Sequence, residues 1–379
     1  MEYYALGRSG LKVSRLALGT MTFGEVWGWG ADDAVSRQIF DAYVASGGNF
    51  FDTADLYTDG HSEEMLGRYI AEAGLRDRAV IATKFGYSAE AGNPNAGGNG
   101  RKKIMHAVEG SLRRLRTDYV DLYILHVWDR VTPVEEVMRA FDDLVRSGKV
   151  RHVGLSNVPA WYASRGHAIA ELRGYEPLSA LQMEYSLIER SIENEFIDLG
   201  TRHGMGVMVW SPLASGLLSG KYKPSQGSLP EGEGRLITTA NTGNPAFEKF
   251  TDRNWAIAAE LEKVASELGR SMAQVAVNWV ANRPGVASVL IGATKLHQVQ
   301  DNLAALDFEI PDELLERLDA VSAMPKGSPY SFFGPDMQGM LNGGATVGDK
   351  PAGYAPQIIS RSAGAGVSAD DASEAAPAS

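Results

Sequence analysis

The sequence predicts a closed parallel barrel of the (β/α)8 kind. Three observations predict it. Short apolar segments alternate with segments of helical period along most of the chain, and eight of the short ones can be counted, centred on Leu16, Phe50, Ile81, Leu122, Val153, Leu181, Val207 and Val289. Several, such as Val80-Ile81-Ala82 and Val207-Met208-Val209, are apolar at successive positions, as strands covered on both faces are. A doubly wound open sheet is the other arrangement of the same alternation.

The elements follow in order. Tyr3 to Leu18 reads as two short strands around the turn cluster Gly7-Arg8-Ser9-Gly10, running into the first core strand. Helical periodicity covers Ala34 to Ser46 and closes on Gly47-Gly48 before the strand Phe50 to Asp52. Ser62-Glu63-Glu64 opens a helix with apolar residues Met65, Leu66, Tyr69 and Ile70, followed by a strand over Ala79 to Lys84, a helix over Lys103 to Leu115 and a strand over Tyr119 to His126. Thr132-Pro133 reads as the cap and first-turn proline of a helix over Val134 to Ser147. Strands over Val150 to Ser156, Ala180 to Tyr185, Gly206 to Ser211 and Ser288 to Ile291 then alternate with helices over Trp161 to Leu172, Glu193 to His203, Trp255 to Leu268, Met272 to Asn282 and Pro311 to Val321.

Two segments leave this rhythm. Leu213 to Phe250 is long, rich in Gly and Ser and interrupted by prolines, which points to a functional loop. After Met324 the composition turns to Gly and Ala without a sustained period. The expected organisation is therefore a barrel over 1–325, a C-terminal extension over 326–361 that covers the active site, and a disordered tail over 362–379.

Composition excludes several roles. A net charge of -11 and a longest basic run of only Arg101-Lys102-Lys103, read as a solvated helix start, argue against a nucleic-acid surface. No apolar run approaches the roughly 20 residues of a membrane helix, and the first residues, Met1-Glu2-Tyr3-Tyr4, lack the pattern of a signal peptide. A cytoplasmic protein without membrane or nucleic-acid partners is expected. With no cysteine there is no thiol nucleophile, disulfide or thiolate metal site. Gly-x-Gly-x-x-Gly, Gly-x-Ser-x-Gly and His-Glu-x-x-His are all missing, and the seven histidines are scattered, so no metal is expected.

In a parallel barrel, chemistry gathers where strands end. The polar residues there are Thr20, Asp52 with Tyr57 close behind, Lys84, His126, Ser156 with Asn157, Gln182 and Ser211. Asp52, Tyr57, Lys84 and His126 form a general-acid set. A phenol with a reference pKa of about 10 donates poorly near neutral pH unless a neighbour stabilises its anion. Lys84 supplies that charge, Asp52 makes a buried ammonium tolerable, and His126 reaches the same oxygen or the substrate. Singly, each residue has a plain structural use as cap, ion-pair partner or buried polar group; the combination points to chemistry. A Schiff-base lyase with Lys84 as nucleophile uses part of the same set.

The segments Phe51-Asp52-Thr53-Ala54-Asp55-Leu56-Tyr57, Thr83-Lys84, Asp121-Leu122-Tyr123-Ile124-Leu125-His126, Gly154-Leu155-Ser156-Asn157, Gln182-Met183-Glu184-Tyr185-Ser186, Trp210-Ser211-Pro212-Leu213 and Ile291-Gly292-Ala293-Thr294 resemble, in order, the signature segments of the aldo-keto reductase superfamily. The resemblance runs from residue 3 to about 323. Gly216-Leu217-Leu218-Ser219-Gly220-Lys221-Tyr222 is most similar to the branch that holds bacterial reductases and potassium-channel beta subunits. It implies an NADP(H)-dependent oxidoreductase, with NAD(H) second, acting on a small carbonyl or alcohol substrate. Tyr57 is then the proton donor and Asp52, Lys84 and His126 complete the tetrad. Ser156, Asn157 and Gln182 hold the nicotinamide amide and Tyr185 stacks on its ring. Ser211, Leu213, Gly216 and Lys221 line the pyrophosphate; Gly292, Gln298 and Asn302, with Asp301 nearby, take the adenosine end; Arg235 and Lys295 meet the 2'-phosphate. Gly19, Thr20, Met21, Asp52, Trp210, Pro212, Leu218, Ile291 and Thr294 complete the expected cofactor contacts. Met21, Phe23, Trp27, Trp128 and Tyr330, with Tyr57 and His126, are the expected substrate contacts. Likeness to channel subunits also admits a nucleotide sensor with little turnover.

Overall fold

A computed structural model of the chain describes residues 1–225, 230–240 and 247–345. An antiparallel hairpin of β1 (Tyr3–Ala5) and β2 (Lys12–Ser14) comes first. Eight strands follow: β3 (Leu16–Gly19), β4 (Phe50–Asp52), β5 (Val80–Phe85), β6 (Val120–Leu125), β7 (Val150–Ser156), β8 (Leu178–Glu184), β9 (Gly206–Trp210) and β10 (Val286–Ile291). They form a closed barrel, each parallel to its neighbours, with β10 paired to both β9 and β3. The fold is a (β/α)8 barrel, and the open-sheet alternative is excluded by that closure.

Helices α1 (Asp33–Ala45), α2 (His61–Glu72), α3 (Arg101–Leu115), α4 (Val134–Arg146), α5 (Ala160–Arg173), α6 (Phe196–His203), α7 (Arg235–Thr239), α8 (Asp252–Leu268), α9 (Met272–Ala281), α10 (Leu296–Leu303), α11 (Asp312–Ser322) and α12 (Pro335–Leu341) complete the described chain. Among these, α1 starts where Asp32 accepts from Val35 N–H, and α9 where Ser271 and Gln274 form a reciprocal capping box. Pro133 is itself the cap of α4, in extended conformation, one position earlier than the first-turn place expected for it. The segment expected as one helix over Glu193 to His203 breaks at Glu195 into a short turn and α6. Helix α10 was not foreseen, because between Leu296 and Leu303 its only other aliphatic residue is Val299 and a polar residue, Asn302, shares the buried side.

Two apolar clusters follow from the two-residue period of the strands. Ala17, Phe50, Ala82, Leu122, Ile124, Ala180 and Met208 point into the barrel, joined by Leu6 and Val13 of the hairpin segment. Leu16, Phe51, Ile81, Tyr123, Leu155, Leu181 and Val209 point outward against the helices. The inward parity then carries the next residues along several strands, Asp52, Lys84, His126, Gln182 and Trp210, to the C-terminal mouth directly above the inner cluster. Among the described residues no helix is long and apolar enough to cross a membrane.

Candidate active site

Three strand ends bring the tetrad together. Asp52 ends β4, Lys84 is the next-to-last residue of β5, and His126 follows β6. Tyr57 reaches them from a tight turn over Tyr57–Gly60, in which Thr58, Asp59 and Gly60 all take positive φ, of 47°, 57° and 92°. Such backbone is strained for residues with a side chain and persists where contacts hold it. Here Thr58 Oγ1 donates to the Phe23 carbonyl at 2.8 Å, and Tyr57 N–H donates to Ala54.

Lys84 is fully buried and its ammonium has three acceptors: Asp52 Oδ1 at 2.6 Å, the Thr53 carbonyl at 2.8 Å and the Tyr57 phenol oxygen at 3.1 Å. Burial opposes its charge, but Asp52 and Tyr57 outweigh that and hold its pKa above the ordinary lysine value. The second oxygen of Asp52 accepts from Gln182 Nε2 at 2.7 Å, so both oxygens of the carboxylate are engaged. Burial raises the Tyr57 pKa, Lys84 pulls it back, and the net shift is upward, so the phenol is protonated in the free site. The imidazole of His126 stands edge to face with Tyr57, ring centres 5.8 Å apart, and burial together with the Lys84 charge lowers its pKa well below the ordinary value. His126 Nδ1 is buried without a hydrogen-bond partner, which leaves Nε2 as the nitrogen available to a ligand.

Around the tetrad, Trp27 meets Tyr57 edge to face at 6.4 Å and touches Trp29, over which the Arg235 guanidinium lies at 4.3 Å. Tyr87 meets His126 at 5.1 Å. Trp29 and Tyr87 were not singled out in the sequence, since an aromatic residue in a loop carries no period to mark it.

The residues that follow β9 form one cradle. Ser211, Ala214, Ser215 and Gly216 all have positive φ, and Ser211 Oγ accepts from Ser215 N–H at 3.1 Å. Lys221 folds across Gly216, where a Cβ would fall 2.8 Å from its Nζ, so no larger residue fits there without displacing it. Lys221 also lies against Gly234, and Tyr222 holds α7 by accepting from Leu236 N–H at 3.2 Å. Burial and the charges of Arg235 and Lys295 lower the Lys221 pKa. Three cations therefore converge, and no carboxylate offsets Lys221 or Arg235 among the described residues. Arg235 lies near enough to Tyr57 for their charges to interact. Arg235 is thus coupled to both Tyr57 and Lys221, nearer Tyr57 than a place at the adenosine end implies.

Elsewhere at the mouth, Asn157 Nδ2 donates to the His126 carbonyl at 2.9 Å and to Ser156 Oγ at 3.0 Å. Gly19, Met21 and Leu213 are partly buried, while Pro212 and Ile291 are buried. Gln298 Oε1 accepts from Thr294 N–H at 2.8 Å, Lys295 is exposed at the start of α10, and Asn302 Nδ2 reaches the carbonyl of the exposed Gly292 at 3.4 Å.

Several expected contacts are placed otherwise. Tyr185 does not face the mouth: it is 1% exposed, packs on Trp279 and bonds through its hydroxyl to Glu193. Its parity is that of Leu181 and Met183, which point outward, and this is the signal that excludes it; Trp210, half-buried and of inward parity, is the aromatic residue on the side of the barrel that Tyr185 does not reach. Phe23 is fully buried against Tyr69, so it presents no surface to a substrate. Thr20 is buried, its hydroxyl joined to Ser62 and the Asp52 carbonyl. Leu218 is buried with its N–H on Leu213, and Asp301 accepts from the Ser271 cap. Ring contacts of Trp128 are with Trp161 and Tyr162, and among the described residues none is with the tetrad. Tyr330 bonds to Glu195, while Phe332 and Phe333 are largely exposed. The expected tail over 362–379 and the extension beyond 345 lie outside the described residues. Lys103, expected in solvent, is buried in a pair with Asp55.

The aldo/keto reductase family model matches residues 15–323 of this chain. An uncharacterised oxidoreductase, YrpG, of Bacillus subtilis (strain 168) is 37% identical over 338 residues, covering 86% of this chain and 98% of that one. A probable voltage-gated potassium channel subunit beta of Oryza sativa subsp. japonica is also 37% identical, covering 87% and 98%. An aryl-alcohol dehydrogenase [NADP(+)] of Phanerodontia chrysosporium is 33% identical, covering 86% of each. The chain belongs to the aldo/keto reductase family.

Proposed function

We propose that the chain reversibly reduces an aldehyde or ketone to the alcohol with NADP(H), Tyr57 being the proton donor. The observation that carries this is the direction of the hydrogen bonds at Tyr57. Lys84 has no acceptor atom, so it must donate to the phenol oxygen, and the phenol's own proton is left free for an acceptor at the mouth. Neutral His126, with its proton on Nε2, offers a second donor to the same oxygen.

The residues present fit the cofactor. A site with converging Lys221, Arg235 and Lys295 suits a polyanion, and of these Lys295, at the α10 end, suits a 2'-phosphate while Lys221 and Arg235 suit the pyrophosphate. Ser156, Asn157 and Gln182 suit the nicotinamide amide. Gln182 Nε2 is committed to Asp52, so its oxygen is the atom it offers. Trp210 supplies the stacking face. When bound, the nicotinamide supplies the hydride; the chain's own part is to orient the carbonyl, exclude water and deliver the proton. Lys295→Ala is expected to weaken NADPH binding about 10-fold and NADH binding less than about twofold, by fluorescence titration. Equal losses for both would remove Lys295 from the 2'-phosphate.

Titration has a clear sign. Reduction needs Tyr57 protonated, and its raised pKa keeps it so; the activity is lost only as pH rises through that value. His126, with a lowered pKa, is already neutral at neutral pH. The expected kcat/KM for reduction is level from about pH 6.5 to about pH 9. An inflection near neutrality that vanishes in His126→Gln would show instead that a charged His126 takes part.

NADPH oxidation against aldehydes, ketones and quinones tests the whole reading. Tight NADPH binding without turnover of any of them would leave a nucleotide sensor in its place. A Lys84 nucleophile is disfavoured because its three N–H groups are all engaged and its charge is stabilised; borohydride trapping of substrate on Lys84 would reverse that.

A further inference from the structure

We infer that Asp55 and Lys103 form a positioning pair for catalysis, with Lys103 acting through Asp55 to fix the turn that holds the Tyr57 phenol against Lys84. This rests on Tyr57 being the proton donor.

Beyond the end of β4 the backbone keeps pairing with β5: Thr53 N–H donates to the Ala82 carbonyl at 2.9 Å and Asp55 N–H to the Lys84 carbonyl at 3.0 Å. Asp55 is therefore fastened beside Lys84 itself. By the alternation of the strand its side chain takes the parity opposite to Asp52, outward toward α3. There Lys103, in the first turn of α3, meets it at 3.1 Å, with the two side chains only 7% and 9% exposed. Asp55 Oδ1 is buried without a partner, so the carboxylate depends on Lys103 for the compensation of its charge, Arg114 acting more weakly.

A pair so withdrawn from water loses hydration on both partners and is a weak source of stability in itself. Its position gives it a use. Tyr57 N–H donates to Ala54, and positive-φ residues follow at once, so the phenol hangs from a turn of only a few residues between Asp55 and α2. Thr58, bonded to the Phe23 carbonyl, fixes the far end of that turn. Asp55 fixes the near end from two directions, through its N–H to β5 and through its carboxylate to α3. Release of the second anchor lets the turn shift, and the Lys84 to Tyr57 distance of 3.1 Å shifts with it. Proton transfer is sensitive to such displacement.

The test uses the full chain and four variants: Lys103→Met, Lys103→Arg, Tyr57→Phe and the Tyr57→Phe/Lys103→Met double. Lys103→Met is expected to lower single-turnover reduction at least about 10-fold and leave the NADPH dissociation constant within about twofold, while Lys103→Arg keeps most of the rate. In the Tyr57→Phe background, Lys103→Met should cost less than about twofold more, because the group it positions is gone. An equal loss in both backgrounds, or no loss in either, overturns the inference. A Tyr57→Phe protein that reduces at the unmodified rate instead overturns the proton-donor reading. If Lys103→Met does not fold, Asp55→Asn/Lys103→Met removes both buried charges, with the same rate loss expected and an unchanged rate counting against the pair.

Discussion

Tyr57→Phe is expected to lower kcat for carbonyl reduction by about 100-fold or more while the NADPH dissociation constant stays within about twofold. The change removes one hydroxyl and nothing else. Its oxygen accepts from Lys84 at 3.1 Å, and its proton is aimed away from the ammonium. The ring keeps its contacts with Trp27 and His126, and the turn keeps its anchors at Ala54 and Phe23. Folding and cofactor binding therefore have little reason to change. Stopped-flow oxidation of NADPH with a reactive aldehyde measures the rate and fluorescence quenching measures the affinity. A Tyr57→Phe variant as fast as the original would mean that His126 or water delivers the proton.

How much of this was legible in the sequence follows from which physical rule placed each residue. Asp52, Lys84 and His126 were readable because each continues an apolar strand at its end, and a barrel fixes both the face and the end at which such residues emerge. Tyr57 was readable only with them, since its turn has no period and its strained backbone is set by tertiary contacts to Phe23. Tyr185 shares a motif with Gln182, but three residues on its parity is the opposite one and turns it outward. Lys103 was misplaced because a basic run at a helix start looks solvated, and only the fold brings Asp55 from 48 residues away to meet it. The nearness of Arg235 to Tyr57 depends on how a long loop folds back across Trp29, which no local pattern specifies.

Lys84→Met should be as damaging to activity as the loss of the Tyr57 hydroxyl and should, in addition, cost stability. The variant strips Asp52 Oδ1 of its 2.6 Å partner and leaves the carboxylate, 1% exposed, with Gln182 alone. Breaking a buried pair from one side typically costs about 3–5 kcal/mol. The cost should depend on pH with a definite sign. Burial already raises the Asp52 pKa, and Lys84 is the largest influence opposing that rise. Without it the folded-state pKa lies further above the unfolded value, so the folded form is favoured by protonation. Lys84→Met should then be least destabilised below the unfolded carboxyl pKa of about 4 and progressively more so as pH rises through the folded value. Urea melts of both proteins at several pH values measure this directly. Asp52→Asn/Lys84→Met removes both charges and should recover most of the lost stability while recovering none of the activity, because Tyr57 still lacks the ammonium that stabilises its anion. A double variant as active as the original would show that the pair is structural and that the proton reaches the carbonyl by another route.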